Sequence, residues 1–259
     1  SPVKGVLVGT AVTSIVQSSS ATTVMIVGIV NAGLMSLVQA IGVIFGANIG
    51  TTVTAQLVAF RLTEYCLPII GIGMLIMLFA KKKSHKNIGE FLMGFGVLFL
   101  GLKILTEVVR PLGQFPMFAN TFATFGRNPL LGILAGTIVT GILQSSSVTT
   151  GMVVGLAMVN LVDLRAAIHL ILGCSIGTCV TALIASTGTK IVAKRAALAH
   201  LFFNIIGVLY FLPFLGWFEN LAMHTSAYLP RQIANAHTLF KVINTIVFLP
   251  FVPLYAKLL

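Results

Sequence analysis

The chain has 259 residues, of which 57% are hydrophobic and only 8% charged, with a mean hydropathy of +1.05. A soluble domain carries about a quarter charged residues, so this composition excludes one, and apolar stretches long enough for about 30 Å of hydrocarbon recur along the chain. The formal net charge of +11 lies in short loops and at helix ends, where it orients a multi-pass protein in a bilayer. No aromatic-plus-basic surface accompanies it, so no nucleic acid is expected as a partner. Cys66, Cys174 and Cys179 are odd in number and lie in apolar segments, which implies no disulfide framework.

The first apolar segment, about Gly5 to Val30, is interrupted by Gln17-Ser18-Ser19-Ser20. The second, about Leu37 to Phe60, is interrupted by Gly46-Ala47-Asn48-Ile49-Gly50-Thr51-Thr52. Uninterrupted helices are expected from about Cys66 to Ala80 and from about Ile88 to Val109. The aromatic-dotted stretch Pro111 to Pro129, with Phe115, Phe118, Phe122 and Phe125, is predicted to lie along the membrane interface as an amphipathic helix. Further segments follow at about Leu130 to Val159, Leu164 to Ser186, Ala196 to Phe218 and His237 to Leu258. Arg231, Gln232 and Asn235 are expected in the loop before the last of these.

The polar interruptions come twice. Gln144-Ser145-Ser146-Ser147 stands 127 residues after Gln17 to Ser20 (144 − 17), and Gly173-Cys174-Ser175-Ile176-Gly177-Thr178-Cys179 follows Gly46 to Thr52 in the same register. Roughly half of the residues from Gly5 to Ala55 are identical to their partners, which marks an internal repeat. The expected organisation is a first transmembrane repeat with the helix before the second hairpin over 1–110, an amphipathic connector over 111–128 and a second transmembrane repeat over 129–259. The second copy is preceded by the helix from Ile88, and the first by nothing equivalent. The opening Ser1-Pro2-Val3-Lys4 therefore reads as a fragment without its leading helix.

Positive charge predicts the topology. Lys81-Lys82-Lys83-Ser84-His85-Lys86 and the run from Lys190 to Lys194-Arg195 are both expected on the cytoplasmic side. Three segments lie between them, so both basic loops share a side only if the Gln144 segment dips in and returns. By the same count Arg61 and its partner Gly188 lie on opposite faces. The predicted fold is an all-α polytopic membrane protein of two inverted-topology repeats, each with a re-entrant helical hairpin and a discontinuous transmembrane helix.

A helix broken in hydrocarbon must bury its break in protein or line a water-filled cavity. Each Gln-Ser-Ser-Ser tip supplies an amide, three hydroxyls and the free N–H groups of a restarting helix, an anion site without a fixed positive side chain. The Gly-x-x-Ile-Gly-Thr interruptions offer backbone carbonyls with Thr and Asn oxygens, which suit Na⁺. Glu64, Glu90, Glu107, Asp163 and Glu219 all lie outside the repeated motifs, which favours Na⁺ over H⁺ as coupling ion. His169 and His200 are the exceptions weighed against that, although a single His in a helix is more often packed. Ser, Thr and Gly are also ordinary packing residues of membrane helices; the duplication at fixed register argues for binding. Cys174 and Cys179 read as small packing residues rather than metal ligands. Without a nucleophile–base constellation at the motifs, no enzyme activity is expected, and no cofactor beyond Na⁺ as the coupling ion.

The paired motifs, with Ala193-Lys194-Arg195-Ala196-Ala197-Leu198-Ala199-His200 and Ile233-Ala234-Asn235-Ala236-His237-Thr238-Leu239-Phe240, resemble the bacterial branch of the type II sodium-dependent phosphate cotransporters. The resemblance covers essentially the whole chain and implies Na⁺-coupled symport of inorganic phosphate by alternating access, in the plasma (inner) membrane. It assigns phosphate oxygens to Gln17, Ser18, Ser19, Ser20, Gln144, Ser145, Ser146 and Ser147, with Thr22, Thr23, Thr149 and Thr150 lining the same cavity. It assigns Na⁺ to Gln17, Asn48, Thr51, Gln144, Ser175 and Thr178. Cys174-Ser175 in place of Ala47-Asn48, and Cys179 in place of Thr52, mean that the halves do not contribute identically. Bacterial relatives of this type often continue into a PhoU-like cytoplasmic domain, which this sequence, ending at Leu259, does not contain. The expected partners are inorganic phosphate, Na⁺ and the lipid bilayer, and a homo-oligomer is compatible with such a chain. The alternatives are another oxyanion or a small carboxylate as cargo, or a membrane phosphate sensor that binds without translocating.

Overall fold

The computed structural model describes residues 1–60, 63–109, 111 and 115–259, without the side chains of 63, 109, 116, 118 and 119. Arg61 and Phe118, used in the sequence reading, and part of the 111–128 connector therefore lie outside the described residues or side chains. Among the described residues the regular structure is helical throughout.

The first repeat opens with α1 (Pro2–Val16) and α2 (Ser19–Asn31). At 15 and 13 residues they are about 22 and 20 Å long at 1.5 Å per residue, each too short to cross the hydrocarbon alone. Helices α3 (Leu37–Gly50) and α4 (Thr52–Val58) follow, then α5 (Cys66–Phe79) and the long α6 (Lys83–Val109). The second repeat runs α8 (Pro129–Leu143), α9 (Ser146–Met158), α10 (Leu164–Gly177) and α11 (Cys179–Ala185). It closes with α12 (Ile191–Phe211), α13 (Leu215–Met223), α14 (Leu229–Phe248) and α15 (Val252–Leu258). Among the described residues five helical stretches, or six if a bent pair is one span, are long and apolar enough to cross a membrane.

The connector forms α7 (Pro116–Arg127), bent from α8 by 115°. Its Phe122 and Phe125 pack against a buried cluster, while Phe115 is exposed. The His169 ring Nδ1 lies 2.7 Å from the Phe125 carbonyl oxygen and ties α7 to α10. That contact gives His169 a packing role.

Three features depart from the sequence reading. The interruption expected across Gly46 to Thr52 is confined to Thr51, which keeps right-handed helical dihedrals (φ −64°, ψ −21°) and bonds its N–H to the Ala47 carbonyl. Thr178 does the same with Cys174. The predicted unwinding is thus absent, because the glycines here serve close packing instead, and the helix keeps most of its carbonyls in its own ladder. The third departure concerns Arg231, Gln232 and Asn235, which lie in α14 and not in a loop. Leu229-Pro230 starts that helix early, since proline in the first turn is already set for helical φ and loses no needed donor. Asn235 and Thr238 accept hydrogen bonds from Gln56 Nε2 at 3.1 and 2.9 Å, and Arg231 covers the Phe60 ring at 4.6 Å.

In each repeat the first hairpin helix lies along the following long helix, α1 on α3 and α8 on α10. The approach requires glycine: a Cβ on Gly46 would stand 2.0 Å from the Val6 carbonyl oxygen, and one on Gly173 1.9 Å from that of Ile133. Thr10 and Thr137 hydroxyls donate across these seams to the Gly46 and Gly173 carbonyls at 3.2 and 3.1 Å. The buried core is consequently built around α3 and α10, most of whose side chains are enclosed.

Candidate functional site

Each Gln-Ser-Ser-Ser tip is a helix stop followed at once by a helix start. Gln17 and Gln144 take left-handed dihedrals (φ 60° and 52°) and bond their N–H groups to Thr13 and Thr140 carbonyls at 2.7 Å. Left-handed backbone is costly for a residue with a Cβ, yet both copies adopt it to end the helix. The next residue, Ser18 or Ser145, is extended and caps the new helix, accepting from Ala21 N–H at 3.2 Å or Val148 N–H at 3.3 Å. The helices α2 and α9 therefore begin at the buried Ser19 and Ser146, whose N–H groups have no intrahelical acceptor. Across each turn a threonine pair clasps the hairpin: Thr13 to Thr22 at 3.1 Å and Thr140 to Thr149 at 3.0 Å.

The two tips meet. Ser20 donates to the Gln144 carbonyl at 3.3 Å, and Ser147 donates at 3.4 Å to Thr54, whose own hydroxyl donates to Gln17 Oε1 at 2.6 Å. Gln17 Nε2 also donates to the Ser14 carbonyl.

Between the repeats lies a tight polar cavity, too small in this conformation to hold a water molecule, lined by three pairs, each offset by 127 residues: Ser19 with Ser146, Asn48 with Ser175, and Thr51 with Thr178. His237 and Lys241 of α14 complete it. Thr51 and Thr178 are each 5% exposed, and neither hydroxyl has a hydrogen-bond partner; the same holds for His237 Nδ1. A buried hydroxyl without a partner costs about 1–3 kcal/mol, and two such hydroxyls line this cavity at equivalent positions of the repeats.

Six of the sequence-predicted residues thus line one cavity. The others have different surroundings. Gln17 joins the Thr54 bridge, Gln144 is exposed, and Ser18 and Ser145 are caps. Ser20 and Ser147 link the repeats. Thr22 and Thr149 clasp the hairpins, Thr150 lies 3.8 Å from Cys174 Sγ, and Thr23 is buried with an unpartnered hydroxyl.

Sequence reasoning missed Lys241. It is 2% exposed in the interior of the helix bundle, and its Nζ donates to Asn48 Oδ1 and Asn204 Oδ1, both at 2.8 Å. The site therefore does hold a fixed basic side chain, contrary to the sequence expectation. Nothing in the repeat flagged it, because Lys241 lies in α14, outside both polar motifs. The signal available was a lone lysine inside an otherwise apolar span. Among the described residues the one salt bridge is Arg165 with Glu219 at the surface (2.8 Å), so Lys241 has no carboxylate partner. His200 is 1% exposed with both ring nitrogens unpartnered, and it lies on α12 one turn before Asn204. The Cys174 and Cys179 thiols donate to backbone carbonyls of Ser146, Ser175 and His200 at 3.5–3.6 Å.

The chain is similar in sequence to known proteins. The chain is 32% identical over 225 residues to the uncharacterized protein YqeW of Bacillus subtilis, covering 85% of this chain and 73% of that one. It is 29% identical over 206 residues to the Escherichia coli K12 protein named "Putative inorganic phosphate export protein YjbB", covering 80% of this chain and 38% of that one. Human sodium-dependent phosphate transport protein 2B is 36% identical over 142 residues, covering 49% of this chain and 20% of that one. The chain thus spans less than half the length of the latter two relatives. No solved structure matches it. A model of the family described as "Na+/Pi-cotransporter" matches residues 1–107 and 114–240, and the chain belongs to that family of membrane transport proteins.

Proposed function

We propose that the protein carries inorganic phosphate across the membrane in a Na⁺-coupled symport, with the paired cavity as the alternating-access site. The observation that supports this most is the pair of orphan hydroxyls, Thr51 and Thr178, at equivalent positions of two repeats around one cavity. The starts of α2 and α9 bring N–H groups and the positive ends of two helix dipoles to Ser19 and Ser146. An oxyanion with several acceptor oxygens can accept from both hairpins at once. Ser175, Thr51 and Thr178 supply neutral oxygens of the kind that Na⁺ requires, without a carboxylate, while Asn48 Oδ1 accepts from Lys241. Side chains carry this role here, since the helical backbone at Thr51 and Thr178 keeps its carbonyls.

The mechanism follows from which contacts bind and which hold the frame. Phosphate closes the gap between Ser19 and Ser146, so it bridges hairpins belonging to different repeats. The Thr13–Thr22 and Thr140–Thr149 clasps keep each hairpin rigid. Ser20–Gln144 and Ser147–Thr54 are the contacts between repeats that exchange as the cavity opens to one side or the other. In this reading α1–α2 and α8–α9 are re-entrant hairpins and the two repeats have opposite topology, in keeping with their short helices. A symporter is reversible, so uptake and export are one cycle run by different gradients.

The test is uptake of radiolabelled phosphate into proteoliposomes under an inward Na⁺ gradient, against an equimolar K⁺ control. Concentrative uptake with Na⁺ alone is expected, with competition by arsenate and none by succinate. Saturable binding without accumulation would replace this reading with a sensor. For topology, Lys82→Cys and Lys190→Cys are both at exposed positions, and the native thiols are buried. Labelling of the two from opposite sides would refute the re-entrant arrangement.

A further inference from the structure

Helices α12 and α14 carry a second, shorter repeat. His200, Phe203 and Asn204 stand 37 residues before His237, Phe240 and Lys241, and Phe211-Leu212-Pro213-Phe214 stands 37 before Phe248-Leu249-Pro250-Phe251. Both Leu-Pro-Phe triplets form a 3-10 turn leading into a short helix. Packing follows the same correspondence. Helix α12 contacts α2, α3, α10 and α11, and α14 contacts α9, α10, α3 and α4. Exchanging the repeats, α2 for α9, α3 for α10 and α4 for α11, turns one set into the other. Asn204 and Lys241 are therefore equivalent positions that meet each other at 2.8 Å, and the pair is symmetric in place but not in chemistry.

We propose that Lys241 is a tethered cation, whose ammonium occupies between Asn48 and Asn204 a seat that Na⁺ would otherwise fill, and replaces one coupling ion as counter-charge to the bound anion. The proposal rests on the oxyanion reading of the cavity. Its geometry is that of a cation site: Nζ stands 2.8 Å from each of two neutral amide oxygens, the donor type a hard monovalent cation takes. Both amides are held from behind. Asn48 Nδ2 donates to the Ile44 carbonyl at 3.0 Å and Asn204 Nδ2 to the His200 carbonyl at 2.9 Å, so each oxygen is fixed toward Nζ.

An ammonium has three donors, and two are used. Lys241 lines the cavity, so the third is available to an anion beside Ser19 and Ser146. A charge buried without a partner is strongly unfavourable, and no carboxylate among the described residues pairs with this one. Of the groups facing it, Asn48 and Asn204 are neutral, His200 and His237 flank it on α12 and α14, and Cys174 and Cys179 approach from α10 and α11. The anion thus supplies the missing negative charge, and the lysine offers permanently what a dissociable Na⁺ would offer on binding.

Equilibrium binding of radiolabelled Na⁺ and of radiolabelled inorganic phosphate to the purified chain tests this in wild type, Lys241→Asn and Asn204→Asp. Lys241→Asn should bind one more Na⁺ per chain. Its phosphate affinity should fall about tenfold or more at low Na⁺, a loss of about 1.4 kcal/mol, and return toward wild type when Na⁺ saturates. Asn204→Asp, which conserves shape, should pair with the ammonium, lower phosphate affinity at every Na⁺ concentration and bind no additional Na⁺. An unchanged Na⁺ count in a folded Lys241→Asn protein, or an added Na⁺ in Asn204→Asp, would overturn the proposal. Should wild type bind no phosphate, the oxyanion reading fails, and the Na⁺ counts of the variants still decide the seat.

Discussion

Replacing Thr51 or Thr178 by valine should separate stability from binding. Valine keeps the β-branched shape and removes only the hydroxyl, which in each case is buried and without a partner. Removing an unsatisfied hydroxyl relieves a penalty of about 1–3 kcal/mol, so the ligand-free variants should unfold at the same or a higher temperature than wild type. In the ligand-bound state the same hydroxyl bonds a charged oxyanion or Na⁺, a contact of about 1.5–3 kcal/mol. Affinity should therefore fall about tenfold to 150-fold, at about 1.4 kcal/mol per decade. Ligand at about 100 times its dissociation constant stabilises wild type by about 2.7 kcal/mol, and a tenfold loss of affinity cuts this to about 1.4 kcal/mol. The assay is thermal unfolding in detergent, with and without phosphate and Na⁺, beside direct phosphate binding. Thr13→Val and Thr140→Val are the controls, because those hydroxyls are paired, and they should lose stability instead. If Thr51→Val and Thr178→Val destabilise the free protein and leave affinity intact, the hydroxyls are structural and the cavity reading fails.

Ser19→Ala or Ser146→Ala should weaken phosphate binding by about 1–3 kcal/mol, measured by radiolabelled phosphate binding, and unchanged affinity in both would count against the site. Gly46→Ala and Gly173→Ala should each disrupt a helix seam, since a Cβ would meet backbone oxygen at 2.0 or 1.9 Å; a loss of folded protein on size-exclusion chromatography is the readout. Thr54→Val removes the bridge from Gln17 to Ser147, and a double-mutant cycle with Ser147→Ala should give a coupling of about 0.5 kcal/mol or more in transport rate. Additive effects of the two substitutions would show that this bridge carries no inter-repeat coupling.

A helix break and restart at Gln17–Ser20 and Gln144–Ser147 was legible in the sequence, because four polar residues interrupt an apolar run there; the left-handed glutamines and serine caps that make the turn are visible only in the structure. The register of 127 likewise identified Ser19, Asn48 and Thr51 with their partners before any coordinates. Other elements were misread for local reasons. The glycines around Asn48 signalled an unwound helix, but their use is close approach to α1, a contact with a segment nearly 40 residues away.

The membrane class, the duplication and the polar groups available follow from composition, segment length and register. Which of those groups face one cavity, and which hold the hairpins together, follows from how the helices pack. The same packing sets Lys241, far from either motif along the chain, between Asn48 and Asn204. The reason is that hydrogen-bond partnership is a property of packed surfaces. A lysine in an apolar helix reads the same whether it faces lipid, a neighbouring helix or a bound anion, until the crossing of α14 with α3 and α12 fixes where its nitrogen lies.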